Sequence, residues 1–218
     1  MKNKLINIDN VTRLVLFCMV MLLIRSLKTD YYSFIYLFWN LFLGWLPLFF
    51  IRRIKSGNSN IKNHLFAGLS ILFLPNSPYI LTDLFHLKQN LHAPLWFDLI
   101  LILSFAILGL IYFIMAFDLI LKYIYKSFSK PVSIIAKPLL LLATGYGIYL
   151  GRYLRFNSWD IVSNPYHLAG GIYKSVFNPH YFKETLAVSL TFTVFLYLLF
   201  EIYLSFKNKL MLKQDEQL

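Results

Sequence analysis

Leu74 to Leu87 reads LPNSPYILTDLFHL, and it interrupts an apolar segment that opens at Leu65 and Phe66. Proline lacks a backbone donor and its ring collides with the preceding turn, so a helix arriving from residue 62 must stop or kink here. Ser77 then has the chemistry of an N-cap, with Pro78 at the first helical position, where the missing N–H costs nothing. In the helix expected beyond it, Tyr79, Thr82, Asp83 and His86 fall at i, i+3, i+4 and i+7 and share one stripe, while Ile80, Leu81, Leu84, Phe85 and Leu87 cover the rest. A hydroxyl, a carboxylate and an imidazole on a broken helix among apolar neighbours mark the best place for a site.

The remainder of the chain says what surrounds that stripe. Of 218 residues, 58% are hydrophobic, 18% aromatic and only 14% charged, with mean hydropathy +0.61. A soluble domain carries about a quarter charged residues, so the composition predicts an all-α, polytopic transmembrane helical bundle. We expect a single integral membrane domain over residues 1–218, with about six spans at 11–27, 31–51, 62–84, 97–117, 132–153 and 185–206. The formal charge is +11, yet the bases are scattered over short connections and form no nucleic-acid motif, which excludes that class of partner. Cys18 is the single cysteine and sits in an apolar run, so it reads as a packing residue and rules out an intrachain disulfide or thiolate cluster.

The first span follows Lys2, Lys4 and Arg13 as a signal peptide would, but no small-residue cleavage site follows it, and it reads as uncleaved. Arg25 near its far end is expected to snorkel to the interface. Asn40, Gly44 and Pro47 interrupt the second span, and Asn40 is expected to bond a neighbouring helix. At about 1.5 Å per residue, the third span before Pro75 covers roughly two-thirds of a ~30 Å core, which places its break in the outer part of the membrane. Asp98 and Asp118 bound the fourth span about 30 Å apart along the axis, too far to share a reaction centre. Ala143, Gly147 and Gly151 recur every fourth residue of the fifth span, a ladder that admits a close neighbour. Beyond Asp160 a stretch rich in aromatics, Asn, Pro and Gly reads as a loop as far as Lys183. With both termini in the cytoplasm the larger share of the 21 basic residues falls on the inner side, which sets the expected orientation.

That topology brings Asp83, His86, Asp98 and the stretch Gly151 to Asp160 to one outer face. Ionisable groups near hydrocarbon cost at least ~2.5 kcal/mol each at the membrane centre and persist where they pair or line a wet cavity. Asp83 and His86 are the candidate acid/base pair, with the carboxylate fixing the imidazole tautomer. Arg152 and Arg155, at i and i+3 on a helix end, are the candidate clamp for a phosphate or carboxylate, and Asp98, Asn76, Tyr79, Asn157 and Asp160 complete the candidate substrate-binding set. The same arginines can instead tie the bundle shut by pairing with Asp83 or Asp98. Asn157 and Ser158 also form a helix-start signal, which makes Asp160 a dipole partner. A metal reading would use Asp83 and His86 with Asp98, His92, His167 or His180, but this fits no established ligand spacing, so neither a metal nor a cofactor is expected. Trp159, Tyr166, Tyr173 and Tyr181 suit an interfacial aromatic belt.

Four groups of residues carry a family resemblance: Asn40, Gly44, Trp45 and Pro47; Pro75 to Leu87; Trp96, Phe97 and Asp98; and Gly151 to Asp160. In combination they make the chain resemble the bacterial multi-pass membrane proteins of domain-of-unknown-function family 1361. Gly44 stands where that family would more often carry alanine. The resemblance implies a compact helical membrane fold in a bacterial plasma membrane and names no reaction. The residues themselves support a polar site at the extracytoplasmic face for an anionic or lipid-linked substrate, with a small transporter or a non-catalytic membrane scaffold as alternatives.

Overall fold

A computed structural model describes residues 8–29, 34–55, 61–87 and 93–215. These residues form α1 Ile8–Thr29, α2 Tyr36–Arg52, α3 Ile61–Phe73, α4 Asn76–Tyr79 and a 3₁₀ helix Ile80–His86. There follow α5 Leu95–Ser127, α6 Lys130–Arg152, α7 Asp160–Ser163, α8 Pro165–Phe177 and α9 Pro179–Asp215. Among the described residues five segments are long and apolar enough to cross a membrane: α1, α3 with its broken continuation, α5, α6 and α9. α2 is equally apolar but has 17 residues, about 26 Å of helix, at the lower limit of a span. The chain is a multi-pass helical membrane protein. Residues 56–60, His92 and the predicted start of the second span at residue 31 lie outside the described residues.

α5 is the post on which the bundle leans. Leu101, Phe105, Leu108, Phe113, Phe117 and Ile120 are buried on it, and α1, α2, α4, the 3₁₀ helix and α6 all pack against it. It runs to Ser127, past the expected end at residue 117, because the charge that seemed to close it is neutralised from its own side and from α9. Asp118 accepts hydrogen bonds from Lys122 Nζ at 2.7 Å and from Lys207 Nζ at 2.9 and 3.0 Å. α9 likewise outruns its predicted limits at both ends, and Lys137 on α6 pairs with its Glu201. Along α9, Leu196, Phe200 and Tyr203 are buried while Val194, Leu198 and Ile202 are exposed. Inner and outer faces are both apolar, as a helix between protein and lipid requires.

The proline break is held in place by its neighbours' smallest residues. Ser77 is fully buried and its hydroxyl donates to the Gly44 carbonyl of α2 at 2.6 Å, while Ser70 donates to the Pro47 carbonyl at 2.7 Å. Ser77 therefore stitches two spans together and does not cap the next helix, whose N-cap position is Pro75. A Cβ on Gly109 of α5 would collide with the Ser77 carbonyl, and one on Gly147 of α6 would stand 2.5 Å from Pro75 Cγ. Gly147 is thus small to admit the break, and the predicted ladder on α6 receives α4 at this point.

Beyond α4 the chain tightens to a 3₁₀ helix, which corrects the expected polar stripe. With three residues per turn, positions i and i+3 eclipse, so Ile80, Asp83 and His86 form one row and Thr82 and Phe85 another. Ile80 and Asp83 are buried and His86 is exposed, so the first row climbs from the core to the surface. Thr82 is spent on its own backbone, donating to the Tyr79 carbonyl at 2.7 Å. The stretch expected as a loop beyond Asp160 is instead α7, α8 and the start of α9. Pro165 and Pro179 open two of these helices at the position where proline's fixed φ and missing donor favour a start.

Candidate functional site

The row from Asp83 to His86 meets the end of α6. Asp83 is 1% exposed, and its Oδ2 accepts a hydrogen bond from Asn40 Nδ2 on α2 at 2.9 Å. Its Oδ1 faces Arg152 Nη1 at 3.7 Å, an ion pair looser than hydrogen-bond contact. The same Arg152 Nη1 lies 2.9 Å from His86 Nε2. A guanidinium only donates, so in this contact Nε2 is the acceptor. It is Arg152, placed between the two candidates, that meets the imidazole, where the spacing leads us to expect Asp83. Phe85 lies under the Arg152 guanidinium at 5.2 Å, and the Tyr36 ring meets His86 edge-on at 5.6 Å.

After Arg152 the backbone turns sharply. The Tyr153 N–H bonds the Tyr149 carbonyl at 2.9 Å, the Phe156 N–H returns to the Leu150 carbonyl at 3.1 Å, and Arg155 takes φ 60°. A left-handed conformation costs a non-glycine residue about 1–2 kcal/mol. Arg155 consequently leaves the helix, so the two arginines do not share one helix face at i and i+3. Its side chain is exposed and has no ion-pair or hydrogen-bond partner among the described residues. Asp160 holds the following loop: its Oδ2 accepts the Asn157 N–H at 2.7 Å and its Oδ1 the Ser163 hydroxyl at 3.1 Å. The loop is tied to the break by Asn76, whose Nδ2 donates to Ser158 Oγ at 2.8 Å.

These elements surround a cavity of about 710 Å³. Asn76, Tyr79, His86, Arg152, Arg155 and Asn157 all line it, together with Asn40 and Ser158. Asp83 stands behind Arg152 and does not reach its wall, and Asp160 acts through the loop it closes. Asp98 is elsewhere. Its carboxylate takes Arg25 Nε at 2.6 Å and Nη2 at 3.1 Å, both side chains being no more than 3% exposed. Arg25 is therefore not snorkelling: a carboxylate at its own depth on α5 gives it a nearer partner than the interface, and Phe34 lies under its guanidinium at 5.1 Å. Neither the Arg25 pairing nor the Tyr36 contact was legible beforehand. The signal available for the first was a lone charge inside an apolar run, which calls for a partner.

No group of three His, Cys, Asp or Glu side chains converges as a metal shell among the described residues. His167 packs on Phe156 at 5.0 Å and His180 on Tyr181 at 5.2 Å. Chemically, the arrangement offers one cation with no partner among the described residues, a second cation with donors to spare, and an imidazole, all open to one cavity with a buried carboxylate behind them.

No curated protein and no solved structure matches the chain. Residues 39–199, which include the break, the Asp83 row and the whole of α5, α6 and α8, match the family described as protein of unknown function DUF1361, and the chain belongs to that family.

Proposed function

We propose that the cavity binds the anionic group of a substrate at the extracytoplasmic face of a bacterial plasma membrane, and that His86 exchanges a proton with it. Arg155 receives the anion first, because its charge has no other claimant among the described residues. Arg152 joins it from the side while Asp83, steadied by Asn40, keeps that guanidinium in register. When His86 Nε2 takes up a proton it can no longer accept from Arg152, so protonation frees Arg152 for the bound anion. The observation that carries this reading is that His86, Arg152 and Arg155 open on the same cavity. An orientation with both termini in the cytoplasm, read from the distribution of bases, puts that cavity outside.

Purified protein titrated with inorganic phosphate should show a rise in melting temperature that Arg155→Ala removes, that Arg152→Ala weakens by about tenfold in apparent affinity, equivalent to about 1.4 kcal/mol, and whose dependence on pH His86→Ala reduces. Identical phosphate responses in wild type and Arg155→Ala would show that no anion site exists here. A scaffold, by contrast, would lose stability in Asp83→Asn with no ligand response to lose.

A further inference from the structure

Resting on the anion-site reading above, we infer that the ligand is an amphiphile, a phosphate headgroup on a long hydrocarbon chain, drawn sideways from the bilayer through the gap between α3 and α6. The cavity wall changes character along its length. The arginine end is polar, whereas Ile71 and Leu72 of α3 and Ala143, Gly147 and Leu150 of α6 line the other end. Ala143 precedes Arg152 by nine residues, so the apolar part descends about 13 Å along α6 from the guanidinium toward the membrane interior. That distance is far more than an inorganic anion needs, and it suits the first part of an acyl or prenyl chain.

The helices leave a way in. α3 packs on α2 and α5, α6 packs on α9, α5 and α4, and α3 and α6 meet each other at isolated points at most. Ala143, at the deep end, is exposed. In a bilayer such an apolar slot is filled by hydrocarbon without cost, whereas a water-soluble ligand would leave it holding water with no polar groups to bond. Charge complementarity fixes the direction of the ligand. A phosphate belongs at Arg155 and Arg152, and between α3 and α6 its chain has an apolar channel toward Ala143.

The test uses full-length protein in nanodiscs and phosphatidic acid carrying a photoactivatable diazirine midway along one acyl chain. Labelled peptides are expected from the α3 segment around Leu72 and the α6 segment between Ala143 and Leu150, with non-photoactive phosphatidic acid competing. Ala143→Phe, at an exposed position, should cut labelling at least fivefold and leave the melting shift given by inorganic phosphate unchanged, while Arg155→Ala reduces both. Labelling spread over the lipid-facing side of α9 as heavily as over the groove, or unaffected by Ala143→Phe, overturns the amphiphile while an Arg155-dependent phosphate response keeps the anion site. Loss of any response to either probe overturns both. The label map on wild-type protein decides the point even if a variant folds poorly.

Discussion

Among the described residues two arginine–aspartate pairs join spans, and they are built in opposite ways. Arg25 and Asp98 meet through two hydrogen bonds, at 2.6 and 3.1 Å, with almost no exposure. Arg152 and Asp83 stand 3.7 Å apart, and the guanidinium, 14% exposed, turns toward His86 and the cavity. The first pair is closed and docks α1 against α5. The second shares its cation with an imidazole and leaves donors facing open space. Charges of the same kind near the membrane thus serve as a bolt in one place and as a candidate site in the other, and what separates them is how completely each partner is satisfied.

Substitutions can break or sharpen this contrast. Asp98→Ala strands a buried guanidinium and should cost about 3–5 kcal/mol, read as a large fall in melting temperature in detergent. Should Asp83→Asn cost as much, the two pairs are alike and the open cluster is a bolt too. Gly109→Val drives a side chain into the Ser77 carbonyl, an overpacking expected to cost about 1–3 kcal/mol in the same measurement. Its effect tests whether the break between the pairs is rigid. Asp83→Asn keeps the bond to Asn40 within reach and should lose no more than about 1 kcal/mol, with a separable fall in phosphate response. The smallest change in stability is expected for Arg155→Gly. Relief of the left-handed strain, partly offset by the entropy of a glycine in the unfolded chain, should leave the protein as stable or up to about 1 kcal/mol more so. The same variant should abolish the phosphate-induced melting shift. Lost stability there would mean that Arg155 holds structure.

Much of the fold was readable because it follows from backbone chemistry. Two prolines in an apolar run had to end α3, and the break is where they put it. The helical ends were harder. Asp118 looked like a boundary, but Lys122 and Lys207 neutralise it and α5 continues. Pro165 and Pro179 fall in a stretch whose composition suits a loop, although each opens a helix. At the candidate site, the spacing of Asp83 and His86 assumed 3.6 residues per turn. The 3₁₀ geometry changes which residues line up, and it arises where the Pro-Asn-Ser-Pro turn is pressed against Gly109 and Gly147.

Composition and proline placement therefore determined, from the chain alone, that this is a membrane-crossing helical bundle, where one span breaks, and which short stretches carry its polar groups. Tertiary structure decided the partnerships: Arg25 with Asp98, Arg152 between Asp83 and His86, Arg155 turned off its helix toward a cavity. The reason is physical. A helix bordered by lipid on one side and by other helices on the other is apolar all round, so its sequence does not mark which face turns inward. Which charges meet depends on the relative rotation and depth of several helices, and those are settled only when small residues such as Gly109 and Gly147 let the helices close on one another.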